Sequence, residues 1–234
     1  MKHTVTLFIP FRNEIDGLRE IMPKIDRAWV DDIFLLDGQS SDGSKEFLEK
    51  EGFKVFAQQT KGVKAAFWEA FEQIPSDVII PFSPDGNSNP ADIPALVEKI
   101  HKGFDIVVAS RYLGGKKSLD DDAESALANR SLTCLINFLF GCRLTDGLGM
   151  YKAFKKGCLY DLAIDSHKDE HSEIMLLTRG TRKRLRIAEI ASPEGARIGV
   201  PGSRAHPGRF GKYKSGLLIL KTILRDALFY WPKK

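Results

Sequence analysis

Over its first half this chain alternates short apolar runs with amphipathic stretches, and that alternation constrains its fold more than any other feature. Thr4–Ile9, Ile33–Leu36, Val55–Ala57, Val78–Pro81 and Ile106–Ala109 are rich in Val, Ile, Phe and Leu and bounded by breakers, so they read as strands. Asp32, Asp77 and Asp105 stand immediately before three of them, as expected where a strand enters from solvent. Between the strands, Ile15, Leu18, Ile21, Met22 and Ile25 share one helical face, as do Ile93, Leu96, Val97 and Ile100, while Ser44–Lys50 and Lys64–Phe71 supply two more helices. Such alternation predicts an α/β fold: a mostly parallel sheet flanked by helices, with ligands at the carboxyl ends of the strands.

After Arg111 the pattern changes. Tyr112–Asp122 reads as a polar loop, Ala123–Phe140 as a helix, Met150–Phe154 as a strand, Glu173–Thr178 as part of a helix and Leu185–Ile190 as a strand. Ser192–Lys214, rich in Gly, Pro and Arg, reads as a loop ordered by ligand, and Gly216–Trp231 as a closing helix. The expected division is a nucleotide-binding core over residues 1–165 and a basic acceptor-side segment over 166–234, together one structural domain.

The 234 residues, 43% hydrophobic and 28% charged, have the composition of a soluble globular protein. Nothing approaches the roughly 18 consecutive apolar residues of a membrane span, and Met1-Lys2-His3 leads straight into the first strand. Cys134, Cys142 and Cys158 lack metal-ligand spacing and read as free thiols. These features predict a cytoplasmic protein, at most peripheral at the inner face of the membrane. From Arg179 onward there are 14 Lys and Arg against 3 Asp and Glu, while the rest holds 21 against 28, so the net charge of +4 hides a basic end on an acidic body. That asymmetry calls for a phosphate-bearing partner, and no nucleic-acid-binding module is recognisable. The closing helix sets Leu217, Leu220, Leu224, Ala227, Leu228 and Trp231 opposite Lys221, Thr222, Arg225 and Asp226. It can pack on the domain or lie in a membrane interface.

The chemistry gathers at the strand ends. The first strand runs into Ile9-Pro10-Phe11-Arg12-Asn13-Glu14 and the second into Asp37-Gly38-Gln39-Ser40-Ser41-Asp42-Gly43-Ser44. Asp37 can accept from a base or ribose or simply end a turn, and Asp42-Gly43 caps the next helix. Lys61-Gly62-Val63-Lys64 opens a helix as a phosphate or ribose site would, and as a plain helix start would. After the fourth strand, Ser83, Asp85 and Asn87 alternate and offer oxygen ligands suited to Mg²⁺ or Mn²⁺, although an Asx-turn before Pro90 uses the same residues.

Together these segments resemble family 2 glycosyltransferases of GT-A fold, most closely the dolichyl-phosphate mannose synthase-like branch. Ile9–Glu14 is similar to I-P-x-x-N-E, Asp37–Ser44 to D-D-G-S-x-D-G-T, Gly62–Ala66 to G-K-G-x-A, and Ser83–Asp85 to D-x-D. Ser110-Arg111-Tyr112 with Gly114-Gly115, Asp146–Lys152 against D-x-x-S-G-F-R, and Glu189 with Arg197 complete seven matches in order. Ser83 replaces the first metal-motif Asp, Gly38-Gln39 replaces Asp-Gly, Lys64 replaces a glycine, and Gly149-Met150 replaces Ser-Gly.

The resemblance implies an inverting, metal-dependent hexosyltransferase using a nucleoside-diphosphate sugar, GDP- or UDP-linked. It implies a donor site of Pro10, Asn13, Glu14, Asp37, Gly62, Ser83, Asp85, Arg111 and Arg197, with the divalent cation on Asp85, Asn87 and Ser83. The catalytic group would be Asp85, Arg111, Asp146 and Glu173, with Lys116, Lys117 and Arg130 flanking the loop after Arg111. The implied acceptor is a polyprenyl phosphate, gathered by Arg197, Arg204 and Arg209, whose anionic oxygen needs no general base. A glycan or lipid hydroxyl would need one, with Asp146, Asp169, His171 and Glu173 as candidates. Two other readings stand beside it. A sugar nucleotidyltransferase would want a glycine-rich loop where Phe11-Arg12-Asn13-Glu14 stands, and a nucleotide-binding relative without chemistry is suggested by Ser83.

Overall fold

The computed structural model describes residues 2–116, 118, 122–164, 171–199 and 209–231, with Arg209, Phe210 and Lys212 described by backbone only. In chain order the elements are β1 (Val5–Phe11), α1 (Ile15–Ile21), β2 (Asp32–Asp37), α2 (Ser44–Lys50), β3 (Val55–Ala57), α3 (Val63–Gln73), β4 (Val78–Pro81) and α4 (Ile93–His101). There follow β5 (Ile106–Ser110), α5 (Ala123–Phe140), β6 (Lys152–Lys155), α6 (Gly157–Asp161), α7 (Ser172–Arg182), β7 (Ile187–Ala191) and α8 (Arg209–Phe229). The strands form one sheet in the order β3-β2-β1-β4-β6-β5-β7. β1 pairs in parallel with β2 on one edge and β4 on the other, and β6 alone runs antiparallel, between β4 and β5.

Alternation along the strands divides the core. Phe8, Phe34, Ile79, Ile106 and Phe154 face α3 and α5–α8, whereas Leu7, Ile9, Leu35, Ile80 and Val107 face α1, α2 and α4. β7 and the buried Ile174–Leu177 of α7 belong to this same body, so the basic end supplies an edge strand and core.

Several boundaries differ from those read in the sequence. β6 begins at Lys152, because Met150 and Tyr151 turn toward a cavity at the sheet edge. α8 begins at Arg209, earlier than the expected Gly216. Tyr213 on its first turns donates to Glu124 of α5 at 2.7 Å, a tertiary contact that outweighs the poor helix propensity of Gly211 and Gly216. The same helix packs by its Thr222, Ile223 and Asp226 side, which is buried, while Leu217, Leu224 and Leu228, and Trp231 just beyond it, are exposed. Asp226 is drawn inward by Arg179 (3.0 Å) and by the Thr178 hydroxyl (2.7 Å), with Arg179 also donating to the carbonyls of Leu162 and Ala163. Removing one partner of such a buried pair costs about 3–5 kcal/mol, which decides the helix orientation.

Two local features position the loops above the sheet. Asp42 accepts from the Ser44 N–H with one oxygen and from the Ile15 N–H with the other (both 3.0 Å), so it caps α2 and also the start of α1. Burial pushes its carboxyl up, and the bonds from Ser44 and Ile15 outweigh that and hold it below the ordinary value. Gly17, in α1, approaches the loop after β4 so closely that a β-carbon would sit 2.1 Å from the Pro84 carbonyl oxygen. We expect Gly17→Ala to push α1 off this loop and cost about 1–3 kcal/mol. Chemical denaturation reads the loss, and an unchanged midpoint would show that the helix can move freely.

Candidate functional site

Because β2 and β4 leave opposite edges of β1, the loops beyond their carboxyl ends diverge and leave a crevice. A cavity of about 660 Å³ fills it, lined by Pro10–Glu14 from β1, Gly38 and Gln39 from β2, Lys61–Val63 at the start of α3, and Ser83 and Asp85 after β4. Arg197 arrives from the basic end of the chain and completes the lining. A second space of about 230 Å³ adjoins it, lined by Ser83, Asp85, Asn87, Arg111, Gly149, Met150 and Glu194 among others.

The first rim is locked by its own polar groups. Asn13 and Gln39, both non-glycine residues, adopt positive φ (55° and 65°). The Asn13 side chain accepts from the Ser41 N–H (2.8 Å) while its N–H donates to the Ser40 hydroxyl (3.0 Å). Asp37 is buried, lies outside both cavity linings and accepts from the Ser40 N–H at 2.9 Å, a bond that shapes this turn. Gly62 takes φ 110° where α3 opens, and its carbonyl accepts from the Gln58 amide at 2.8 Å.

Beyond β4, Asp85 accepts from the Asn87 N–H (3.1 Å) with one oxygen and from Arg197 (2.8 Å) with the other. The same guanidinium donates to Glu14 at 3.0 Å. Asp85, Ser83 and Asn87 therefore meet at one wall, as their spacing suggests, with Asp85 the one charged member. Among the described residues no group of three His, Cys, Asp or Glu could hold a metal by itself. A lone carboxylate with hydroxyl and amide neighbours fits a hard cation whose remaining ligands come from a diphosphate.

Arg111, at the end of β5, lies over the ring of Tyr112 (5.2 Å), as does Arg130 from α5 (5.5 Å). Its guanidinium is clasped bidentately by Asp146 at 2.6 and 2.9 Å. Burial works against the charge of Arg111, and the bonds and charge of Asp146, with Glu194 nearby, outweigh it and raise the pKa. Asp146 does not stand where a general base would. It is fully buried behind Arg111, and its oxygens also accept from the N–H groups of Leu148 and Gly149. Burial pushes its carboxyl up, and Arg111 pulls it below the ordinary value. Glu189 of β7 in turn accepts from the N–H groups of Thr145 and Asp146 (2.9 to 3.0 Å), fixing the loop that carries Asp146. Burial raises the Glu189 carboxyl despite these bonds.

Glu173, at the first turn of α7, lies on neither cavity wall and pairs with His171 at 3.2 Å. Lys117, Asp169 and Arg204, and the side chain of Arg209, lie outside the described residues. Two further residues are not among the site candidates read from the sequence, although Lys152 closes the Asp146–Lys152 motif. Lys152 is wholly buried, with burial pushing its ammonium down to about 8 against the pull of Glu173 and Asp146, and it donates to the Glu173 carbonyl oxygen at 2.9 Å. Glu194 lies 3.9 Å from Arg111.

A mostly parallel sheet whose strand order reverses beside a crevice walled by Glu14, Asp85 and Arg197 has the architecture of the GT-A fold. The chain matches Glycosyl transferase family 2 over residues 6–162, and it belongs to that family. It is 28% identical over 166 residues to the undecaprenyl-phosphate 4-deoxy-4-formamido-L-arabinose transferase of Pseudomonas fluorescens (strain Pf0-1), covering 66% of this chain and 47% of that protein. For the protein of the same name from Klebsiella pneumoniae (strain 342) the identity is 29% over 176 residues, covering 70% and 52%. The chain thus spans about half the length of the curated relatives it matches. Among solved structures it resembles glucosyl-3-phosphoglycerate synthase from Mycobacterium tuberculosis in complex with Mn²⁺, UDP-glucose and phosphoglyceric acid. The TM-score is 0.68 at 22% identity, covering 96% of this chain and 80% of that one, a likeness of fold. The same protein with Mg²⁺ and UDP gives a TM-score of 0.67.

Asp146→Asn tests the buried clasp. Removing its charge should cost on the order of 3 kcal/mol. Since the folded carboxyl titrates below the ordinary 3.8, its stabilisation is complete above that value and lost as pH falls through the folded pKa. Urea denaturation should therefore separate wild type from variant at about pH 7, with the gap narrowing only as pH falls below 3.8. A gap independent of pH would mean the clasp is not ionic.

Proposed function

We propose that this chain carries the donor site of an inverting glycosyltransferase that moves a hexosyl group from a nucleoside-diphosphate sugar, GDP- or UDP-linked, to a polyprenyl phosphate. The observation that carries the reading is the meeting of Asp85, Arg197 and Arg111 around two adjoining cavities at the β1–β4 reversal. Family membership supports the reaction class. The names of the relatives, undecaprenyl-phosphate sugar transferases, support the acceptor.

In this reading Pro10, Asn13, Glu14 and Gly62 border the base and ribose, with Asp37 holding the turn beneath them. Asp85, Ser83 and Asn87 hold a divalent cation, Mg²⁺ or Mn²⁺, which on binding would neutralise charge gathering on the leaving diphosphate. Arg111, kept charged and aimed by Asp146, binds anionic oxygen on the second cavity, and Arg197 faces the diphosphate from the other side. Phosphate is already anionic at neutral pH, so these residues need only align and desolvate it against the anomeric carbon. The transfer to a hydroxyl would need a base. The His171–Glu173 pair at 3.2 Å is the observation favouring that second reading, with Glu173 holding the imidazole.

The site belongs beside a membrane in this reading. No described helix is long and apolar enough to cross one. The exposed Leu217, Leu224 and Leu228 of α8, with Trp231 just beyond it, stand among the exposed Lys214 and Lys221, and Leu127 and Phe138 of α5 are exposed as well, a composition suited to an anionic lipid surface.

Two measurements test the reading. Binding of UDP and GDP should require Mn²⁺ or Mg²⁺, and Asp85→Asn should abolish that requirement; equal affinity of wild type with cation and with EDTA would remove the metal. With radiolabelled donor sugars, label should enter polyprenyl phosphate, and Asp146→Asn should slow it about 10–100-fold by loosening Arg111. Label entering hydroxyl acceptors alone, and lost in Glu173→Gln, would establish the second reading, and no transfer from any donor would leave a nucleotide-binding relative.

A further inference from the structure

The segment after β7 crosses directly over the loop that carries Asp85. The Ser192 N–H donates to the Ser110 carbonyl (2.9 Å) and the Ile198 N–H to the Asp85 carbonyl (2.7 Å), so the strap is tied at both ends. Between the ties, two glycines let backbone pass over backbone. A β-carbon on Gly195 would lie 2.8 Å from the Gly86 carbonyl oxygen, and one on Gly86, at φ 89°, would lie 2.8 Å from the carbonyl oxygen of Ala196. From this crossing two opposite charges reach down. Glu194 stands 3.9 Å from Arg111 and accepts from the Ser118 hydroxyl. Arg197 bridges Asp85 at 2.8 Å and Glu14 at 3.0 Å.

We propose that this strap is an internal stand-in for the ligands: without them, the Arg197 guanidinium holds the place of the divalent cation on Asp85, and the Glu194 carboxylate holds the place of anionic oxygen on Arg111. The proposal rests on the reading of Asp85 as the cation ligand. An Asp85 oxygen that already accepts from a guanidinium is a poorer ligand for a cation at about 2.1 Å, and the two positive charges repel. A cation arriving alone must therefore compete with Arg197 for Asp85. When a nucleoside diphosphate arrives with the cation, its oxygens take over Arg197, and the competitor becomes a ligand. Cation and nucleotide consequently bind with strong mutual cooperativity, and the coupling is reciprocal. Glu194 acts in the same way against anions that would reach Arg111 without a donor in place.

The test is titration of the full chain with Mn²⁺, followed by the paramagnetic signal of the free ion, without nucleotide and with saturating UDP or GDP. Arg197→Gln should bind Mn²⁺ alone on the order of tenfold more tightly than wild type. It should also bind nucleotide with Mn²⁺ more weakly, so that the enhancement by nucleotide collapses. Arg197→Lys, which keeps the charge, should retain most of the enhancement. Glu194→Gln should strengthen binding of inorganic pyrophosphate measured in EDTA. Opposite effects on cation and nucleotide are not expected from loss of a merely structural contact. If Arg197→Gln leaves Mn²⁺ affinity unchanged or weaker while nucleotide still enhances it, the strap is not a stand-in and the cation site survives. If wild type binds no Mn²⁺ even with nucleotide, the cation site itself falls, and the strap reading with it.

Discussion

The structure depends on β1 being hydrogen-bonded in parallel along both edges. Each residue from Thr6 to Phe11 has a partner on β2, and Val5–Phe8 have partners on β4. A strand so enclosed must be apolar on both faces, and Val5, Leu7, Phe8 and Ile9 are almost wholly buried. Its neighbours belong to crossovers that leave in opposite directions, so the chain separates above its carboxyl end and no side chain fills the gap. The cavity follows from connectivity. What the sequence varies is the content of the loops around it: proline and a left-handed asparagine after β1, a serine-rich turn after β2, a single carboxylate after β4.

Around that gap, charge is held in pairs whose members come from distant parts of the chain. Arg111 and Asp146 are 35 residues apart, and Arg197 lies 112 residues from Asp85. A bare guanidinium or carboxylate at these depths would carry a desolvation cost of several kcal/mol, so each needs its partner before the ligand arrives. The pairs differ in what they permit. Asp146 is closed off on every side, by Arg111 and by the N–H groups of Leu148 and Gly149, and it serves as a fixed support. Asp85 shares its outer oxygen with an arginine on a loop, an arrangement that exchange with ligands can reverse.

Comparison of the relatives with the fold neighbours bears on how far each likeness reaches. Relatives that share 28–29% identity cover two thirds or more of this chain but only about half of their own length. The fold neighbours cover nearly the whole chain at 21–22% identity. What the chain shares with the solved structures is the fold. The α7 start and the strap after β7 lie outside the centre of the sheet, so their side chains can change without altering the strand pairing.

Period-two and period-3.6 patterns made the first five strands and the helices between them legible, since a strand or helix buried on a sheet must repeat at its own spacing. The Asp42 cap and the convergence of Ser83, Asp85 and Asn87 were legible too, because neighbours a few residues apart on a turn cannot avoid one another. Local pattern could not show that Asp37 would face down into its own turn, that Asp146 would lie behind Arg111, or that Lys152 would be buried against the Glu173 carbonyl. Each depends on a partner tens of residues away. α8 makes the distinction plainest. Its periodicity separates an apolar face from a polar one and leaves open whether the leucines pack on the domain or lie in a membrane interface. Tertiary structure turned the Asp226 and Ile223 side inward, because Arg179 is buried beneath it and requires the carboxylate of Asp226, and in a low-dielectric interior an unmet charge outweighs the exposure of a few leucines.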